Sequence, residues 1–101
     1  MKTSELYQSP SYERNEELHR DGCTERCICC NKPMKTEQVK FMVHMTTRWV
    51  AVDTDDVDVV SENGYETQGF FPIGSECKKN MSKEFIFKVY NESSKLTPQI
   101  H

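Results

Sequence analysis

No apolar run in this 101-residue chain approaches the roughly 20 residues that a membrane-spanning helix needs. The opening stretch, MKTSELYQSPSYERNEELHR, holds no apolar block of the kind a secretory leader carries. Hydrophobic residues make up only 36% of the chain against 29% charged, a lean mixture for a domain of this size. There is no internal repeat, and no run of Lys or Arg exceeds two residues. That pattern does not give the uniformly basic surface of a general nucleic-acid binder. Five cysteines is an odd number, ill matched to a closed disulfide set. These absences predict one small cytoplasmic domain with reduced thiols, whose core needs a metal or a partner to complete it.

The net charge of −3 is unevenly spread. Residues 1–22 carry three basic and five acidic side chains. Residues 51–66, AVDTDDVDVVSENGYE, carry six acids and no Lys or Arg, and the remainder is net basic. Such a dipolar layout can steer a charged partner. The acids do not make a calcium loop. Counting from Asp53, Val57 falls on a ligand position and Asp58 where the loop needs glycine. A solvated acidic loop is the plainer reading, with Asp53, Asp55, Asp56 and Asp58 as candidate docking carboxylates.

Three segments follow from composition: a polar, mobile arm over 1–22, a domain over 23–90, and a disordered tail over 91–101. Within the domain the pattern is mostly β. VKFMVH (39–44) alternates, with Val39, Phe41 and Val43 on one face and Lys40, Met42 and His44 on the other. RWVAVD (48–53) reads as its hairpin partner, VDVVS (57–61) as a third strand, and QGFFPI (68–73) as a fourth. A short helix is expected from GSECKKNM, and SKEFIFKVY (82–90) leans towards helix behind Ser82. Trp49, Phe41, Phe70 and Phe71 read as core or metal-side packing.

The densest chemistry lies in RCICCNKPMK, Arg26 to Lys35. Cys27 and Cys30 have the two-residue spacing with which a tight turn aims two thiolates at one point. Asn31, directly after, tolerates the left-handed backbone such a turn demands. Cys77 at a helix start, beside Lys78 and Lys79, is the expected third ligand, its thiolate favoured by the free N–H groups there. His44, the only histidine of the β region, is the preferred fourth. Its competitors are Cys23, Cys29, His19 and Glu76. Cys23 and Cys29 otherwise read as free thiols, with Cys29 pointing outward from the turn. The set predicts one zinc ion, with iron as the alternative metal.

The stretches CICCNKPMK, FMVHMTTRWVAV and GFFPIGSECKK resemble small zinc proteins borne by phages and mobile elements, whose own functions are uncharacterised. The likeness runs from about Cys27 to Lys83, and departs from the usual pattern at Asn31, where Gly is common, and at the extra Cys29. It implies Cys27, Cys30 and Cys77 as metal ligands, points less firmly at His44, and implies no enzymatic activity.

The expected fold is therefore α+β and β-rich: a treble-clef-like zinc domain with knuckle, hairpin and short C-terminal helix, a zinc ribbon being the alternative. The expected role is non-enzymatic. A structural-zinc module presents a surface to a protein or nucleic-acid partner, without membrane or small-molecule substrate. The alternative is a phage-type inhibitor of a host enzyme, acting in the host cytoplasm through the acidic 53–66 loop. A metalloenzyme would need an open coordination position, which arises if His44 is not a ligand, with Glu76 as the nearest base.

Overall fold

The alternating stretch behind the cysteine cluster becomes the central strand of the molecule. The computed structural model describes residues 1–90 and 97–99, so the expected tail over 91–101 lies outside the described residues apart from 97–99. The strands are β1 (Thr3–Glu5), β2 (Glu25–Arg26), β3 (Pro33–Met34), β4 (Phe41–Thr46), β5 (Val50–Val52), β6 (Thr67–Pro72), β7 (Phe87–Tyr90) and β8 (Thr97–Gln99). Two short helices, α1 (Tyr12–Glu16) and α2 (Val57–Glu62), and three 3-10 turns complete the described elements. None of these helices is long and apolar enough to cross a membrane.

Two antiparallel sheets result, β2 with β3 alone and the other six strands around β4. His44 pairs with both Val52 of β5 and Phe70 of β6, so those two strands lie on opposite edges of β4. Met42 pairs with both Pro72 and Phe87, so β7 shares the edge used by β5, one strand-half further along. Beyond them, β1 extends β5 and β8 extends β7.

Burial on β4 is two-sided, since every residue from Met42 to Thr46 is buried. Side chains of a strand alternate between faces. Val43 and Met45 pack into the main core with Cys27, Cys29, Ala51, Ile73, Cys77 and Phe85. Met42, His44 and Thr46 face the other way. There His44 stacks on Phe70 at 4.5 Å between ring centroids, and Phe70 meets Phe87 edge-on.

Residues 57–61, expected as a strand, are helical. Asp56 caps α2 by accepting from the N–H groups of Asp58 and Val59 at 2.9 and 3.3 Å. The cap outweighs the β preference of three valines, of which only Val60 is buried. Over 82–90 the expected helix is a single 3-10 turn, Lys83–Phe85, followed by β7. The stretch after Pro72 likewise makes a 3-10 turn, Cys77–Asn80, where a helix was anticipated. Trp49 lies on the surface, 49% exposed at the hairpin tip with φ of +60°, and only its edge approaches Phe71.

The segment expected to be a mobile arm is paired instead. β1 runs along β5, and the backbones of Lys2 and Asp53 exchange hydrogen bonds, one through the Asp53 carboxylate. Leu6 and Tyr7 then pack on the main core. The Ser9 N–H donates to the Cys29 carbonyl at 2.8 Å, and Asn15 on α1 donates to the Cys30 carbonyl at 2.9 Å. The polar N-terminal segment thus covers the cysteine turn. The whole is an α+β, β-rich domain of antiparallel sheets with a cysteine cluster against its core.

Candidate metal centre

The cysteine turn closes the hairpin of β2 and β3. The Cys27 N–H donates to the Lys32 carbonyl at 3.1 Å, and the Asn31 N–H donates back to the Cys27 carbonyl at 2.7 Å. Asn31 adopts φ of +62°, the left-handed conformation that asparagine tolerates and branched residues resist. The Arg26 guanidinium braces the turn, donating to the carbonyls of Asn31 at 2.9 Å and Asn15 at 3.1 Å. The Ile28 N–H then donates to the Pro72 carbonyl at 2.9 Å, which fixes the turn against the end of β6.

That anchor brings the distal cysteine into reach. Beyond Pro72 the chain folds back, with the Lys78 N–H donating to the Gly74 carbonyl at 3.0 Å, and Cys77 turns inward. The Sγ atoms of Cys27, Cys30 and Cys77 come within 4.8 Å of one another. Zinc–thiolate bonds of about 2.3 Å in a tetrahedron put sulfurs about 3.8 Å apart. The three thiols therefore fit a metal ion after small side-chain adjustments.

The electrostatics favour a cation at the same point. Cys27 is pulled down to about 4, first by the Cys29 thiol hydrogen-bonding to it and then by the Gly74 N–H, against the opposing effect of burial. The Gly74 N–H lies 3.1 Å from the Cys27 sulfur. Cys77 and Cys30 are pushed up, chiefly by burial and further by the negative charge on Cys27. One thiolate thus forms readily and resists the next two. A divalent ion among them reverses that balance.

His44 does not join the three sulfurs, which corrects the expected fourth ligand. It is 1% exposed, and both ring nitrogens have partners. A carbonyl can only accept, so Nδ1 donates to Thr54 at 2.6 Å, while Nε2 faces the Thr67 hydroxyl. The reason is strand alternation: Val43 and Met45 point at the cysteines, and the residue between them points away.

Cys29 also differs from expectation. It is fully buried rather than outward-facing, and packs in the main core. Its own thiol is pushed up, mainly by its hydrogen bond with Cys27 and by burial. Cys23 is half-buried and outside the three-sulfur group. His19 is exposed, and Glu76 points outward to pair with Lys79 at 3.5 Å. Gly74 was the participant that residue chemistry missed, because it acts through its backbone. The only hint lay in its place three residues before Cys77.

The acidic carboxylates divide. Asp53 accepts from the Lys2 backbone and Asp56 caps α2, while Asp55 and Asp58 stay exposed.

Two cavities border this region. One, of about 310 Å³, is lined by the three cysteines with Arg20, Lys32, Ser75 and Glu76 among its walls. The other, of about 540 Å³, has Phe41, Met81 and Ile86 on its floor and Lys78, Lys79, Lys83 and Lys88 around it. Lys78 holds its ammonium 4.1 Å over the Phe41 ring. Comparison with known proteins finds no matching family model, no significantly similar curated protein and no significantly similar solved structure.

Proposed function

We propose that this chain is a metal-closed binding module, in which one zinc ion held by Cys27, Cys30 and Cys77 locks a treble-clef-like centre. The knuckle gives two ligands, and a 3-10 turn standing in for the usual helix gives the third. One observation supports this above all: three sulfurs from two distant segments approach within 4.8 Å of one another. A divalent, redox-inert ion with a taste for thiolate suits that set, and it ties the β2–β3 hairpin to the chain beyond β6. Such an arrangement belongs in a reducing cytoplasm, where thiols stay available to metal. Mass spectrometry of the native chain should find one zinc, and excess chelator should collapse its circular dichroism and melting transition. A metal-free chain that stays folded would overturn the reading.

The partner best suited to the module is a protein carrying an acidic segment with an apolar anchor. The lysine-rimmed cavity supplies the complement: four ammonium groups around an apolar floor. Of those lysines, Lys79 pairs with Glu76, and the other three have no ion-pair partner among the described residues. Nucleic acid suits it less well. Lys78 already covers the Phe41 ring, which removes the face on which a base would stack. No catalytic step is assigned to the module.

A second reading, a mobile-element inhibitor acting through the acidic loop, draws on Val57. This valine is 55% exposed at the start of α2, between the exposed Asp55 and Asp58. Neutralising Asp55 and Asp58 together should then abolish binding to a basic host enzyme while leaving the melting point in place.

A further inference from the structure

We infer that the lysine-rimmed cavity receives the acidic tip of a second copy of this chain, with Val57 set on the apolar floor between Asp55 and Asp58. This rests on the reading of that cavity as a site for an acidic segment with an apolar anchor, and names the segment.

The chain's own surface supplies the occupant. Phe41, Met81 and Ile86 form the floor of the cavity. Lys78, Lys83 and Lys88 stand around it without an ion-pair partner among the described residues. The matching chemistry lies at the start of α2. Val57 is 55% exposed, the most exposed large hydrophobic side chain among the described residues, and the exposed Asp55 and Asp58 flank it.

That tip is held in shape before anything docks. The Asp56 carboxylate caps α2, and the Asp56 N–H donates to the Thr54 hydroxyl at 3.1 Å. At the far end of the helix the Asn63 amide donates to the Val59 carbonyl at 2.8 Å. A segment already ordered gives up little conformational freedom on binding.

The geometry rules out docking within one copy. Phe41 shares its parity with Val43 and Met45, and with Met81 and Ile86 it packs on the cysteine side of the sheet. His44 on the other face donates to the Thr54 carbonyl, and Val60 of α2 is buried outside the cysteine-side cluster. Tip and cavity therefore lie on opposite faces. The contact joins two unlike patches, so each docked copy keeps one tip or one cavity free, and growth passes beyond a pair. Exposed ion pairs contribute little each, and Val57 is one small side chain. The association is accordingly weak, concentration-dependent and screened by salt.

Sedimentation velocity of the full chain tests this. The mean sedimentation coefficient should climb with protein concentration past that of a dimer, and return to the monomer's at high salt. Val57→Ser leaves every charge and the Asp56 cap in place, and should weaken association at least several-fold. Asp55→Lys with Asp58→Lys should be monomeric alone, as should Lys83→Glu with Lys88→Glu, each with a melting curve that shows it folded. Mixed, the two should associate again, because the acidic tip left on one meets the lysine rim left on the other. A parent chain that stays monomeric, or stops at a dimer, would overturn the inference. So would association untouched by Val57→Ser, or a mixture of folded variants that fails to recover. A monomeric parent that still binds a fluorescent peptide of leucine flanked by glutamates loses only the self-docking. One that binds no such peptide loses the acidic-segment reading as well.

Discussion

The backbone N–H of Gly74 donates to the sulfur of Cys27 across 3.1 Å, joining the chain beyond β6 to the cysteine turn before any ion is considered. A hydrogen bond to a thiolate holds charge where a metal needs it and fixes the sulfur's direction. An added Cβ at Gly74 would stand 3.6 Å from that sulfur, an ordinary contact. Gly74→Ala, which keeps the donor, should therefore leave zinc affinity within about twofold. Gly74→Pro, which removes it, should cost about tenfold, in line with a lost charged hydrogen bond. Competition titration against a chromogenic chelator measures both. Equal affinities for the two variants would show that the N–H does not matter.

His44→Ala separates structure from ligation. The ring is buried, bonded through both nitrogens and stacked on Phe70, so its loss leaves a cavity and the Thr67 hydroxyl without its ring partner. We expect destabilisation of about 2–4 kcal/mol in chemical denaturation. Zinc stoichiometry should stay at that of the parent chain. A variant that is stable but binds no metal would restore His44 as a ligand.

These two residues also mark how far the sequence could be read. The two-residue cysteine spacing, the asparagine behind it and the distal cysteine are local chemical signals, and the three sulfurs do gather. The β4–β5 hairpin was visible as alternation followed by a run of β-formers, and β6 as a short apolar stretch ended by Pro72 and Gly74. For His44 the residue type points to a ligand, but strand parity decides, setting it opposite Val43 and away from the sulfurs. Cys29 escaped because its side chain packs into the main core with Val43 and Met45 while the Ser9 N–H bonds its carbonyl, long-range contacts that no local pattern carries. At 57–61, one aspartate side chain bonding two backbone N–H groups decided between strand and helix, against the preference of the valines. The N-terminal strand was hidden for a related reason. Its three residues are held by pairing with β5 rather than by any apolar face of their own.

Asn31 offers a test of the turn itself. Its φ of +62° suits Gly or Asn, while a β-branched side chain there clashes with its own backbone. Asn31→Gly should retain zinc affinity and thermal stability to within about 1 kcal/mol. Asn31→Val should lower both together, since the strained turn misdirects Cys27 and Cys30 at once. If Val is tolerated with no change in a zinc titration or a melting curve, the turn is less constrained than its hydrogen bonds indicate.

The lysine-rimmed cavity makes the most demanding prediction, because it names a partner chemistry. Lys83 and Lys88 lie on its rim, away from the three sulfurs, and both are exposed. Reversing them in Lys83→Glu with Lys88→Glu should leave zinc content and melting temperature close to those of the parent chain. The same change should abolish binding of a fluorescent peptide in which leucine is flanked by glutamates, followed by anisotropy. Binding to the parent chain should weaken steeply between low and physiological salt, as screening shortens the reach of exposed charges. A glutamine-flanked peptide that binds equally well would show that the apolar floor alone does the work. Preferential binding of a single-stranded oligonucleotide would turn the assignment towards nucleic acid, despite the ammonium group that Lys78 holds over Phe41.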